Sequence, residues 1–136
     1  MSRVSVKTTI DAPVAKVWRM MGGFDTLPDW HPAVQQSTLE GGGKRRRLTL
    51  AGGAELVEEQ IARDEGNHSY SYSIVSGPLP VANYRSTITV TEEKDGSATV
   101  EWSGDFDPLG SETNAVETIQ QIYRAGLNNL RKMFGG

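Results

Sequence analysis

The chain has 136 residues, 37% hydrophobic and 23% charged, enough for one domain with a sizeable core. A formal net charge of -3 argues against a general nucleic-acid binder, which needs a basic surface to meet phosphates. Cysteine is absent, which excludes disulfides, thiolate nucleophiles and cysteine-ligated metals, and no apolar run approaches the ~20 residues of a membrane span.

Met1 to Val6 enters a strand-like pattern directly, so no signal peptide is expected and a cytoplasmic protein is the default. Val4, Val6, Thr8 and Ile10 alternate with Ser5, Lys7 and Thr9 as a half-buried strand does. Asp11-Ala12-Pro13 stops that strand and starts a helix with Val14, Val17, Trp18 and Met21 on its apolar face. Gly22-Gly23 ends it, and FDTLPDWHP, with two prolines, reads as a short irregular helix or turn.

Six strands in hairpin succession follow: Val34–Leu39, Lys44–Leu50, Glu55–Arg63, His68–Val75, Val81–Thr91 and Ser97–Phe106. Gly41-Gly42-Gly43, Gly52-Gly53, Asp64–Asn67, Ser76–Pro80 and Lys94-Asp95-Gly96 supply the turns. Ser111–Phe134 closes the chain as a long helix, with Val116, Ile119, Ile122, Tyr123, Leu127, Leu130, Met133 and Phe134 in one stripe. The class is α+β in two layers: a curved antiparallel sheet of seven strands, short helices after strand 1, and a long C-terminal helix over the concave face. One helix covers a wide sheet incompletely, so a pocket between the layers is expected.

The segments VWRMMGGFDTLPDWHP, VEEQIARDEGNHSYSYSI, GPLPVANY and WSGDFDP resemble the START-like, birch-pollen-allergen-like (SRPBCC) superfamily, in its polyketide cyclase/dehydrase and lipid-transport branch. The similarity spans nearly the whole chain and implies a helix-grip fold over residues 1–136 as a single ligand-binding domain. It also implies an apolar cavity under the long helix. Relatives that sense abscisic acid close that cavity with two loops, which match Leu50–Ala54 and Leu79–Val81 here. Their ligand-holding lysine is replaced by His31, and their gate and latch wording is missing, which speaks against that particular ligand.

Glu59 is a candidate cavity carboxylate and general acid/base if Val57 and Ile61 face inward, a phase that the resemblance favours. In the alternative phase, Leu56 and Glu58 mark the inner face and Glu59 is solvated. His31 either aims a titratable nitrogen at the cavity or caps a proline-bounded turn. Tyr72 and Tyr84 match ligand-contact positions of the family, whereas Tyr70 reads as core and His68 as exposed. Ile74 and Ser86 share strand faces with these tyrosines; Trp102 and Phe106 are cavity wall or core. Ile119 and Ile122 offer the helix side of the cavity. Gly126, costly in a helix by ~1 kcal/mol, makes room either for a ligand or for close packing.

The ligand-binding set is therefore His31, Val57, Glu59, Tyr72, Ile74, Tyr84, Ser86, Trp102, Ile119, Ile122 and Gly126, with Glu59 and His31 as the catalytic pair in an enzymatic reading. Lys44-Arg45-Arg46-Arg47 reads as a solvated edge, since its members alternate faces. Two distant histidines with no spaced carboxylates make no metal site, and no cofactor is called for. The expected partner is a small hydrophobic ligand, aromatic, polyketide- or lipid-like, taken up by a carrier or sensor. A cyclase/dehydrase-type enzyme is the rival. No nucleic acid and no membrane insertion are expected, and the oligomeric state, a dimer included, is left open.

Overall fold

The structure, a computed structural model, describes residues 1–135, and Gly136 lies outside the described residues. Its strands are β1 (Ser2–Ile10), β2 (Val34–Glu40), β3 (Arg45–Leu50), β4 (Glu55–Asp64), β5 (Ser69–Ser76), β6 (Val81–Glu92) and β7 (Ala98–Pro108). The helices are α1 (Val14–Met21), α2 (Leu27–Trp30) and α3 (Glu112–Met133). All strand pairs are antiparallel and the sheet order is β1-β7-β6-β5-β4-β3-β2. The consecutive hairpins β2 to β7 run as a meander, and β1 returns to pair with β7, giving the seven-stranded helix-grip arrangement.

Period-two alternation decides which face of β7 is buried. Ala98, Val100, Trp102, Gly104 and Phe106 point into the core, while the intervening residues are half-buried. The stripe of α3 buries Ile119, Tyr123, Leu127 and Leu130 completely, and Met133, read as part of it, is 43% exposed at the last turn. Ser111 caps the helix by accepting the Asn114 N–H at 3.2 Å, and Arg131 and Lys132 meet its C-terminal dipole.

The helix packs chiefly on β1 and β7, at one end of the sheet order, and touches α2. Its contacts with β2, β3 and β4 are sparse by comparison. Between Gly41 and Gly43 the chain takes three positive backbone angles (φ 60°, 72° and 91°), a run that glycine tolerates best, so the β2–β3 connection is a tight left-handed turn.

Two irregularities in β4 matter for the site. Its pairing with β5 shifts register between Val57 and Glu58, and again between Gln60 and Ala62, where Ile61 is the extra residue. Glu58 therefore faces across to Ile74 and Gln60 to Tyr72, but beyond the bulge Arg63 faces Tyr70. One residue of slippage exchanges the faces of a strand.

Candidate functional site

A cavity of about 230 Å³ opens between sheet and helix. Its wall is built by Leu27 of α2, by His31, Ala33 and Val34 leading into β2, by Leu48 and Leu50 of β3, and by Leu56 and Glu58 of β4. Tyr72 of β5, Tyr84 of β6, Trp102 of β7, and Ile119 and Ile122 of α3 complete it. Ala51 and Leu79, from the segments expected to gate the cavity, also contribute, and both are at least partly exposed.

Glu58, not Glu59, is the carboxylate in this wall. Glu59 sits on the outer face in an ion pair with Arg45 at 3.0 Å, and Val57 is buried outside the main core cluster. Val57 and Ile61 do share a phase with Glu59, but they mark the outer face, and the bulge at Ile61 ends the alternation. The inward phase is that of Leu56 and Glu58.

The basic run also departs from a solvated edge. Arg46 is fully buried, opposite Glu58 across the β3–β4 ladder, while Arg45 and Arg47 face outward. Its Nε donates to Glu58 Oε1 at 2.8 Å, and its Nη2 stands 2.7 Å from the same oxygen, close enough for ion pairing but off the line of a hydrogen bond. Nη1 donates to Phe24 O at 3.0 Å, and the guanidinium carbon lies 4.2 Å above the Phe24 ring and 4.8 Å from that of Tyr72. Burial works against the guanidinium charge, yet Glu58 and the neighbouring phenols hold its pKa above the usual value. Burial pushes the Glu58 carboxyl up, with Arg46 opposing that rise.

His31 lines the cavity but has no free nitrogen. The Ala33 N–H donates to Nδ1 at 3.2 Å, so the proton sits on Nε2, which donates to Ile122 O at 2.8 Å. Burial lowers its pKa, and the Ile122 bond partly offsets that. Its ring stands edge-on to Trp102 at 5.9 Å. The residue is a staple between the start of β2 and the backbone of α3. Asn129, donating to Trp30 O at 2.8 Å, is a second one.

Gly126 lies under this seam. A Cβ there would stand 2.6 Å from His31 Cδ2 and 3.0 Å from the rings of Trp30 and Trp102, so the glycine serves close packing and does not line the cavity.

The remaining candidates divide. Tyr72, Tyr84, Trp102, Ile119 and Ile122 line the cavity; Ser86 lies behind it and Ile74 is partly buried against the core without lining it. Trp102 Nε1 donates to Tyr72 OH (3.0 Å) and Ser86 Oγ (3.1 Å), and Ser86 Oγ donates to Ser103 O (2.9 Å). Tyr123 OH bonds both Ser86 Oγ and Tyr84 OH, and its ring stacks on Trp102 with centroids 4.4 Å apart. Gly104 gives the Tyr123 hydroxyl its space on β7. Tyr70 and Phe106 are core, and His68 is half-buried against Trp18.

Sequence reasoning passed over Leu27, Ala33, Val34 and Leu48 as wall residues and Arg46 behind them, and it held Leu56 and Glu58 only as the alternative inner face of their strand. One signal was present: Arg46 is in phase with Leu48, and Glu58 with Leu56, placing opposite charges on one face of adjacent hairpin strands. No helix among the described residues is long and apolar enough to cross a membrane.

The comparisons with known proteins agree with this architecture. "MLP-like protein 423" of Arabidopsis thaliana is 30% identical over 130 residues, 86% of this chain and 83% of that protein. The solved structure of XoxI from Bacillus cereus superposes with a TM-score of 0.96 at 36% identity, covering 98% of this chain and 96% of that one. A Bacillus thuringiensis protein superposes equally well, with a TM-score of 0.96 at 35% identity over 99% of this chain and all of that one (100%). The family model described as polyketide cyclase / dehydrase and lipid transport matches residues 1–135, and the chain, a member of the START-like helix-grip superfamily, belongs to that family.

Proposed function

We propose that this protein encloses a small apolar molecule between its sheet and α3, as a carrier or sensor. The observation that carries this reading is the cavity of about 230 Å³, walled by leucine, isoleucine, alanine and aromatic side chains around a single charged group, Glu58. A void of that make-up gains from apolar surface leaving water, and its few polar groups orient what enters. The lipid-transport wording of the family accords with this reading.

Acid–base catalysis by Glu59 and His31 has no geometric support. The two do not converge on one space: Glu59 pairs with Arg45 outside, and both His31 nitrogens are engaged. The test is thermal denaturation against a panel of aromatic and lipid-like compounds. Ligands that bind the folded state raise Tm in proportion to the logarithm of their concentration. A panel that produces no shift at concentrations up to solubility overturns the proposal.

A further inference from the structure

The hydrogen-bond polarity of the cavity wall follows from one fixed direction. Ser86 Oγ donates to the backbone carbonyl of Ser103, so its bond with Tyr123 OH is one that it accepts. Tyr123 thereby gives up its proton to Ser86 and must accept from Tyr84. Tyr84 has then no second proton to give, so the long 3.4 Å contact with Tyr72 is donated by Tyr72. The phenol protons all run in one direction, away from the cavity and toward β7. The Trp102 indole proton joins the same group of oxygens, and the one proton of His31 goes to Ile122 O.

Glu58 ends this inventory. Both contacts from Arg46 reach Oε1, and no hydrogen bond from the described residues reaches Oε2. The carboxylate is 4% exposed and lines the cavity. Every other polar group at the cavity wall either directs its proton elsewhere or has none to give, Tyr72 through the longest and weakest of these contacts. Oε2 faces the cavity without a protein donor; a ligand that fills the cavity shuts it from water, at a cost that a donor on the ligand removes.

We infer that Glu58, held by Arg46, makes the cavity selective for apolar ligands that bring a hydroxyl or N–H donor, over carboxylate or ketone compounds of the same shape. This rests on the reading of the cavity as a ligand site. A carboxylate entering here meets a like charge and no free donor; a ketone leaves Oε2 unpaired. Arg46 does not rescue either, because it stands behind the wall, outside the cavity's lining, with its charge matched by Glu58.

Isothermal titration at pH 7 with four two-ring probes tests this: naphthalene, 2-naphthol, 2-acetylnaphthalene and 2-naphthoate. The expected result is 2-naphthol binding about tenfold or more tighter than each of the others. Because Glu58→Gln alone strands a buried guanidinium, the informative variant is the double Arg46→Met/Glu58→Met, which replaces the ion pair by apolar side chains. It is expected to keep naphthalene binding and lose the naphthol preference. Equal affinities for 2-naphthol and 2-naphthoate, or a preference that survives in the double variant, overturn the inference and leave the ligand-site reading standing. Failure of all four probes to bind overturns the inference, and with no shift from the wider panel it overturns the ligand-site reading as well.

Discussion

Arg46 and Glu58 face each other across the β3–β4 ladder, 2.8 Å apart from Nε to Oε1, with the guanidinium wholly shut off from solvent. Two charges so placed depend on each other more than the fold depends on the pair. Removing one leaves the other unpaired in a low-dielectric interior, at about 3–5 kcal/mol, whereas replacing both by apolar groups of similar volume is often neutral. Arg46→Met alone is therefore expected to lower stability by that amount in urea titrations, and Arg46→Met/Glu58→Met to recover most of it. Equal losses in the single and double variants would show that the pair itself holds the strands together.

Gly126→Ala sets two effects against each other. Alanine gains about 1 kcal/mol of helix propensity, but its methyl would enter the space of the His31, Trp30 and Trp102 rings, and overpacking of this kind costs about 1–3 kcal/mol. A net loss of about 1 kcal/mol is expected from chemical denaturation. A gain in stability would mean that the three rings move aside freely.

Stability should also weaken on mild acidification. The His31 pKa is lowered in the fold by burial, so between that value and the ordinary 6.5 the unfolded chain binds the extra proton and the folded chain does not. The contribution is present above about pH 6.5 and is lost as pH falls through the folded value. Protonated Nδ1 also confronts the Ala33 N–H. His31→Gln should be less stable at pH 8 and show a flatter profile between pH 7 and 5. Parallel profiles for the two proteins would remove His31 from the acid response.

At the alkaline end the sign reverses. Tyr72, Tyr84 and Tyr123 all have their pKa raised above 10.0, with burial the largest cause, so above pH 10 the unfolded chain loses three protons that the folded chain keeps. Stability should fall by about 4 kcal/mol per pH unit there, three groups at roughly 1.4 each. Phenolate absorbance should then rise in a cooperative step that coincides with loss of the near-ultraviolet circular dichroism. A gradual rise in the folded protein would show these hydroxyls to be open to solvent.

The layers, the strand order and the closing helix are legible because each rests on local pattern: alternation in β1 and β7, glycine and proline at the turns, a three-four stripe in α3. The phase of β4 is left open by the pattern, Leu56 and Glu58 against Val57, Glu59 and Ile61, and the resemblance favours the wrong carboxylate; a bulge leaves no residue signature of its own. Burial of Arg46 was hidden for another reason. Charge reads as exposure until the partner across the hairpin is known, and that partner is found only through the strand register. His31 was placed at the cavity from resemblance, but its engagement with the α3 backbone depends on a ring fitting over a helical glycine, which is a tertiary fact.

The one-sided seating of α3 divides the molecule's duties. Where the helix rests on β1 and β7, side chains interlock and a substitution disturbs folding; at the rim of the cavity, away from the Arg46–Glu58 pair and the buried leucines of β3 and β4, a substitution alters chiefly the shape of the hollow. Ala33, Ala51 and Leu79 can then change size while the helix seam stays as it is. A scaffold partitioned in this way can exchange one guest for another over evolutionary time without being rebuilt.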